Sequence, residues 1–309
     1  MFQKQRLMFL YAVTPVHMGA GTAIGAIDNP IQRERHTEHP MMAGSGLKGA
    51  LRHHLERKWD TAEVARLFGP ESNASDYAGC VSFGDAQLVA FPVRSLKRGF
   101  VWAVSPVSLA RLKRLAALAK CEADWSVPEA SADQALVADG GVLDQGRLVL
   151  EAFDFAAAVS DDLRGIAQWL ADNALPSGPA HEHFRKKMAS DLVLLPEEVF
   201  SYFVRNATVV EAHVRINDET GTAADEVGPF YTENLPPESL LVSLVLASLE
   251  RTSKKGRPGE PMPADEVMQT LVTGNGQNGQ AGLDGALIQV GGDATTGRGQ
   301  VVLRFAPEK

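Results

Sequence analysis

The sequence predicts an α+β fold built on an antiparallel sheet. Three observations carry this. Strand-like runs of Val, Leu, Ile, Phe and Tyr lie near both ends of the chain and in its interior. Between them lie segments whose apolar residues recur every three or four positions, the period of a helix. The two kinds of segment follow one another without the strict strand–helix–strand alternation of a doubly wound parallel sheet.

The elements follow in order. Residues 5–18 read as a strand. Lys4 and Arg6 ahead of the apolar run Leu7–Val13 imitate a signal peptide. Thr14-Pro15 interrupts that run and no clear small-residue cleavage site follows, so a buried strand is expected. Gly19, Gly21 and Gly25 open a loop reaching to about Ala43. Ser45 is expected to cap a helix whose Leu47, Leu51 and Leu55 share a face. Gly69-Pro70 breaks the chain, and Cys80–Pro92 reads as one strand with Val81, Phe83, Val89 and Phe91 inward. Residues 106–120 read as a helix burying Leu109, Leu112, Leu115 and Leu118. The stretch 121–150 is acidic and irregular, and Leu163, Ile166 and Leu170 mark a helix before Pro176. Residues 199–216 read as β-rich. The turn formers of 217–237 read as a projecting hairpin or loop, and Leu240–Leu249 as a strongly apolar strand. A basic Gly/Pro loop at 252–262 precedes a short helix at 264–273. Strands at Ala286–Val290 and Gln300–Phe305 flank a glycine-rich turn.

Composition narrows the class. The 309 residues are 45% hydrophobic and 22% charged, as in a soluble globular protein with its own core. Two cysteines exclude a disulfide framework, and a reducing cytoplasm is the default. No window approaches the ~20 apolar residues of a membrane span, so no membrane partner is expected. The net charge of −8 argues against coating nucleic acid through bulk positive charge. The charge is uneven, however. Residues 86–121 hold seven basic and no acidic side chains, while 122–162 hold ten acidic ones against Arg147 alone. Either two solvated faces or a local anion-binding surface fits that asymmetry.

Three constellations carry possible chemistry. Ala43 to Arg52 (A-G-S-G-L-K-G-A-L-R) feeds a Gly/Ser turn into a helix start, with Lys48 and Arg52 one turn apart. Unpaired N–H groups and cations there suit a phosphate, and a capped helix packed closely at Gly49 fits equally well. Gly291 to Gly299 (G-G-D-A-T-T-G-R-G) has a backbone able to curl around an anion beside Arg298, or to serve as a plain hairpin turn. The loop after the first strand gathers His17, Asp28, Gln32, Arg33, Arg35, His36 and His39. A carboxylate among imidazoles and cations suits acid–base or metal-assisted chemistry, although a solvated loop explains the composition as well. Neither a Walker loop nor a dinucleotide fingerprint is present.

Taken together, T-P-V-H-M-G-A-G-T, G-S-G-L-K-G-A-L-R and G-G-D-A-T-T-G-R-G resemble the signatures of the RAMP superfamily of CRISPR effectors. A-I-D-N-P-I-Q-R-E-R-H-T, L-F-G-P-E, V-S-F-G-D-A-Q-L-V-A-F-P-V-R-S-L and H-V-R-I-N-D-E-T-G-T-A resemble the backbone-subunit family of the type III-B (Cmr) complex. The resemblance implies an RRM-like, ferredoxin-like palm with helical insertions and a β-hairpin thumb at about 210–234. Residues 1–309 would then form one domain, with 120–200 an insertion of open role. It implies that copies stack on guide RNA beside other effector subunits, and that complementary target RNA is cut at regular intervals. Ser45, Lys48, Arg52, Gly292, Thr295, Gly297 and Arg298 would contact RNA. Asp28 would act in cleavage with a divalent ion, Mg2+ or Mn2+, and His17 would lie beside it. A non-catalytic RNA-binding scaffold of the same fold is the alternative. The chain departs from the family at Gly46, where a second serine is usual.

Overall fold

The computed structural model describes residues 2–23, 25–72, 77–129, 131, 133–214, 216–222, 228–251, 260–276 and 280–308. The chain opens with β1 (Lys4–Ala12), the short β2 (Met41–Met42), α1 (Gly44–Glu56) and α2 (Thr61–Phe68). Next come β3 (Val81–Phe83), β4 (Ala86–Ser95), β5 (Gly99–Val104) and α3 (Pro106–Leu118). The middle holds β6 (Gln134–Val137), β7 (Arg147–Leu150), β8 (Phe153–Val159), α4 (Asp161–Asn173), α5 (Glu182–Ser190) and β9 (Leu192–Leu194). The last third holds α6 (Glu197–Asn206), β10 (Val209–His213), β11 (Phe230–Asn234), β12 (Leu240–Ala247), α7 (Ala264–Thr273), β13 (Leu287–Gln289) and β14 (Gln300–Phe305).

Four strands, β14, β1, β12 and β4, lie side by side in that order, each antiparallel to its neighbours. β1 and β4 therefore run the same way on either side of β12, with α1 between them in sequence. β12 and β14 likewise run together, with α7 between them. β13 extends the β14 edge. The far half of β4 leads into a second group, β5, β9, β6, β8 and β7. Pairing of Ser95 with Leu150 brings β7 back to β4, so this part of the sheet closes on itself like a barrel. The mixed α+β class read from the sequence is the class observed.

β1 is covered on both faces, which is why its run is continuously apolar rather than alternating. Met8, Leu10 and Ala12 pack with Leu47, Leu51 and Leu55 of α1 and Val267 and Leu271 of α7. Leu7, Phe9 and Tyr11 pack with Leu109 and Leu112 of α3 and Leu163, Ile166 and Leu170 of α4.

Several expectations change. The first strand stops at Ala12, since Pro15 has no N–H to give a ladder. Cys80–Pro92 is two strands, separated where Asp85 turns to accept a hydrogen bond from Gly44 N at 2.7 Å. Leu88, Val89, Ala90 and Phe91 are all buried, so the middle of β4 has no solvent face. Leu118 is 55% exposed rather than core. The stretch 121–150 contains β6 and β7. In the segment 199–216 read as β-rich, residues 199–206 belong to α6, with Phe200, Phe203 and Val204 on its buried face, and β10 follows as a strand. Ser45 is not the cap of α1: Ala43 holds the N-cap position and Ser45 lies exposed in the first turn. Within 210–234, residues 215 and 223–227 lie outside the described residues, as do 252–259 of the basic loop.

Candidate nucleic-acid interface and cleavage site

β10 and β11 form a two-stranded antiparallel ladder separate from the main sheet. One edge of β11 is paired with β10, and the other edge is free to bond elsewhere. Two loop segments fill it. Val16 and Leu235 exchange backbone bonds of 2.9 Å. The Glu233 carbonyl accepts from His17 Nδ1 at 2.7 Å. Asp28 and Asn29 N both donate to the Tyr231 carbonyl, at 3.1 and 3.0 Å, and Tyr231 N donates to Asp28 Oδ2 at 2.7 Å. His17 and Asp28 therefore dock on alternate residues, Glu233 and Tyr231, of one strand edge. Alternate residues of a strand lie about 6.6 Å apart.

The bonding fixes what each group offers. A carbonyl only accepts, so Nδ1 of His17 carries a proton and Nε2 is the atom left for chemistry. One oxygen of Asp28 is held by a backbone N–H. Its half-buried carboxylate has the other oxygen for a proton or a cation. His36, another imidazole of this loop, is bound to Arg111 of α3 at 2.8 Å.

Two residues that sequence reasoning passed over hold the ladder in place. Glu233 is buried, and its carboxylate accepts from Ile31 N at 3.0 Å, Arg33 Nη2 at 2.5 Å and Thr208 Oγ1 at 2.8 Å. Glu211 on β10 takes both of its short bonds, 2.5 and 2.6 Å, from Arg298 of the glycine loop. A carboxylate so fully satisfied is a strut rather than a free base.

The glycine loop is exposed from Gly291 to Gly297, including Gly292 and Thr295. Gly292 N is spent on the His17 carbonyl at 2.9 Å. Gly291 sits at φ 71, where a Cβ would collide with that same carbonyl, so this glycine is required by the close approach. Gly297 caps the small turn 294–296 at φ 81.

A groove of about 450 Å³ separates this loop from α1. Its walls include Gly19, Gly46, Ala50, His53, Gln289 and Gly291. Gln32 bridges two of the walls, accepting from Ala43 N at 2.9 Å and donating to the Gly19 carbonyl at 3.1 Å. The groove face of α1 is Gly46, Leu47, Ala50 and His53, whereas Lys48 and Arg52 stand on another face, because each residue turns the helix by about 100°. The lysine turn and the glycine loop are neighbours, but their cations do not line one cradle. Arg52 is committed to Glu56 at 2.6 Å and to the Gly69 carbonyl at 2.9 Å. Lys48 is half-buried, and burial, with Arg52 adding to it, lowers its pKa. No carboxylate among the described residues pairs with it. Gly49 is not there for close packing, since a Cβ at that position meets nothing within 4 Å.

The basic stretch 86–121 spends much of its charge internally. Lys97 meets Asp144 at 3.1 Å, Arg98 meets Asp191 at 3.6 Å and Arg111 meets Glu34 at 2.6 Å. A divalent ion finds a single carboxylate at the β11 edge. Among the described residues no three His, Cys, Asp or Glu side chains gather into a metal site. Asp28 fits an ion whose other positions are filled by water and phosphate, the habit of Mg2+. No helix among the described residues is long and apolar enough to cross a membrane.

These parts define a mixed α+β protein in which a glycine loop and a carboxylate loop converge on one hairpin, with an open groove between the glycine loop and a glycine-rich helix start. That combination matches a known group. The chain belongs to the RAMP superfamily, whose sequence profile matches residues 9–302. It is 34% identical over 302 residues to the CRISPR system Cmr endoribonuclease Cmr4 of Pyrococcus furiosus, covering 96% of this chain and 94% of that one. It is 35% identical over 91 residues to the CRISPR system CMR subunit Cmr4 of Saccharolobus solfataricus, 28% of this chain and 29% of that one. The crystal structure of oligomeric Cmr4 from Pyrococcus furiosus matches with a TM-score of 0.72 at 26% identity over 99% of both chains. A chain of the type III-B Cmr-beta complex bound to cognate target RNA, seen by cryo-EM, shares the fold, with a TM-score of 0.70 at 18% identity over 98% of both.

Proposed function

We propose that this chain is the guide-RNA-binding backbone subunit of a type III-B CRISPR effector. Copies stack along the guide with other subunits of the effector and cut complementary target RNA at regular intervals, in the cytoplasm. β14, β1, β12 and β4 with α1 and α7 form its ferredoxin-like, RRM-like palm. The β10–β11 ladder forms the root of the thumb, and residues 120–200 build an insertion on the palm. One observation supports this reading above the others: His17 and Asp28, distant in sequence from the hairpin, are both bonded to one edge of β11.

The reaction follows from that placement. The thumb holds one target nucleotide out of helical geometry, so its ribose 2′-OH lies in line with its own 3′ phosphorus, a positioning effect. The 2′-oxygen bonds to phosphorus and the bond to the 5′-oxygen of the next nucleotide breaks. A 2′,3′-cyclic phosphate and a 5′-OH result. The free oxygen of Asp28 takes the 2′-OH proton or contributes to holding a divalent ion. When bound, that ion offsets the charge developing on the phosphate. A second proton on His17 sits on Nε2, from which it passes to the leaving 5′-oxygen. Lys48, the glycine loop and the groove face of α1 hold sugar-phosphate without reading bases. His53 and Gln289 join that surface from the groove walls.

Asp28→Ala in the reconstituted complex is expected to abolish metal-dependent cutting while target binding stays near that of the parent. Continued cutting at regular spacing would assign the chemistry elsewhere and leave this chain the scaffold.

A further inference from the structure

At the outer end of the ladder His213 and Phe230 face each other across the two strands. Their rings are parallel within 17°, with centroids 5.0 Å apart. Phe230 is 43% exposed although one face of its ring is covered by His213. Among the described residues no other ring stacks on either. The position adds meaning to the exposure. Phe230 directly precedes Tyr231, whose N–H holds Asp28.

We propose that the His213–Phe230 pair is a stacking platform for a nucleobase of the target strand next to the cut. Phe230 offers the outer face and His213 backs it, and both act as positioning residues. This rests on the cleavage reading above and deepens it. Three physical points favour a base as the occupant. A flat aromatic face accepts any base through its π surface, which suits a protein that must cut RNA of any sequence. The face of the Phe230 ring that His213 does not cover is open to a planar partner. A base clamped there would fix the ribose that carries the nucleophile, one residue along the strand from the carboxylate that serves it.

The test uses the reconstituted guide complex and target RNA carrying 2-aminopurine at the base on either side of the cut, in separate molecules. A 2′-deoxy sugar at the cut position prevents turnover. Binding to the parent complex is expected to quench one of the two probes by stacking. Phe230→Leu restores the emission, Phe230→Trp keeps the quench, and His213→Ala gives an intermediate value. On unmodified RNA, Phe230→Leu slows cutting by about 5- to 100-fold, the effect of losing one base stack. Target affinity changes little, because guide pairing dominates it. Equal quenching in parent and Phe230→Leu complexes that both cut overturns the platform and leaves the function standing. So does a Phe230→Leu complex that loses its regular length in electron micrographs with the probes unaffected, since the ring then belongs to a contact between subunits. A parent complex that does not cut at all overturns the cleavage reading and the platform with it.

Discussion

Lys48 and Arg298 carry the same charge in opposite circumstances. Arg298 is neutralised by Glu211, and Arg52 by Glu56. Lys48 is half-buried with its pKa lowered by burial, and no acid among the described residues offsets it. A cation removed from water without a partner costs stability until an anion arrives. Lys48→Ala is therefore expected to weaken RNA binding by the assembled complex. The slope of log affinity against log salt should fall by about 0.7–1, one phosphate contact. Arg52→Ala should lower thermal stability and leave the slope alone. Filter binding at several salt concentrations separates the two, and an unchanged slope for Lys48→Ala removes it from the contacts. The candidate set was legible in the sequence because Gly, Ser, Lys, Asp and His occur there at family spacing. Glu211 and Glu233 were not. A lone carboxylate in a strand has no spacing signature, and Glu233 meets Arg33 across 200 residues of chain. Its role exists only once the hairpin folds back on the loop.

At the scale of elements, legibility followed how much an element depends on distant neighbours. α7 and β14 lie where local pattern puts them, at Ala264–Thr273 and Gln300–Phe305. α6 departs from the β-rich reading because Val, Phe and Tyr favour strands in general, whereas here Phe200, Phe203 and Val204 form one buried helical face and Tyr202 stays exposed. β4 broke the alternation rule because helices and strands cover both of its sides. α1 lies where the pattern puts it but starts ahead of the expected cap Ser45, with Ala43 at the N-cap, because Asp85 of a distant turn satisfies Gly44 N where a side-chain cap is expected. α1 also carries a cost that points outward. A Cβ at Gly46 would meet nothing within 4 Å, so packing does not require a glycine there. Gly46→Ala is expected to stabilise the free protein by about 0.5–1 kcal/mol, the usual penalty of glycine in a helix. It should weaken guide RNA binding, since the methyl stands in the groove where a backbone N–H would otherwise meet phosphate. Calorimetry of the free chain beside an RNA titration reads both effects. Stabilisation without loss of affinity would separate the groove from the RNA.

At the scale of the whole molecule, the net charge of −8 and the open groove impose a way of working. Three of the seven cations of the basic stretch 86–121 are paired with acids of the same chain, so fewer are left to spend on phosphate. One copy then holds RNA weakly. A guide long enough for several copies changes the balance, because each added copy gains both its own phosphates and a neighbour, and effective concentration rises along the strand. Affinity per copy should therefore increase with guide length and show cooperativity, while an oligonucleotide with room for one copy binds poorly and loses even that as salt rises. Mass photometry on a series of guide lengths measures this. Electron microscopy of the co-expressed complex should show a stack with a fixed repeat, and that repeat should equal the spacing of the cuts. Affinity per copy independent of length, with single particles at every length, would leave a protein that binds RNA one molecule at a time and would end its role as a ruler.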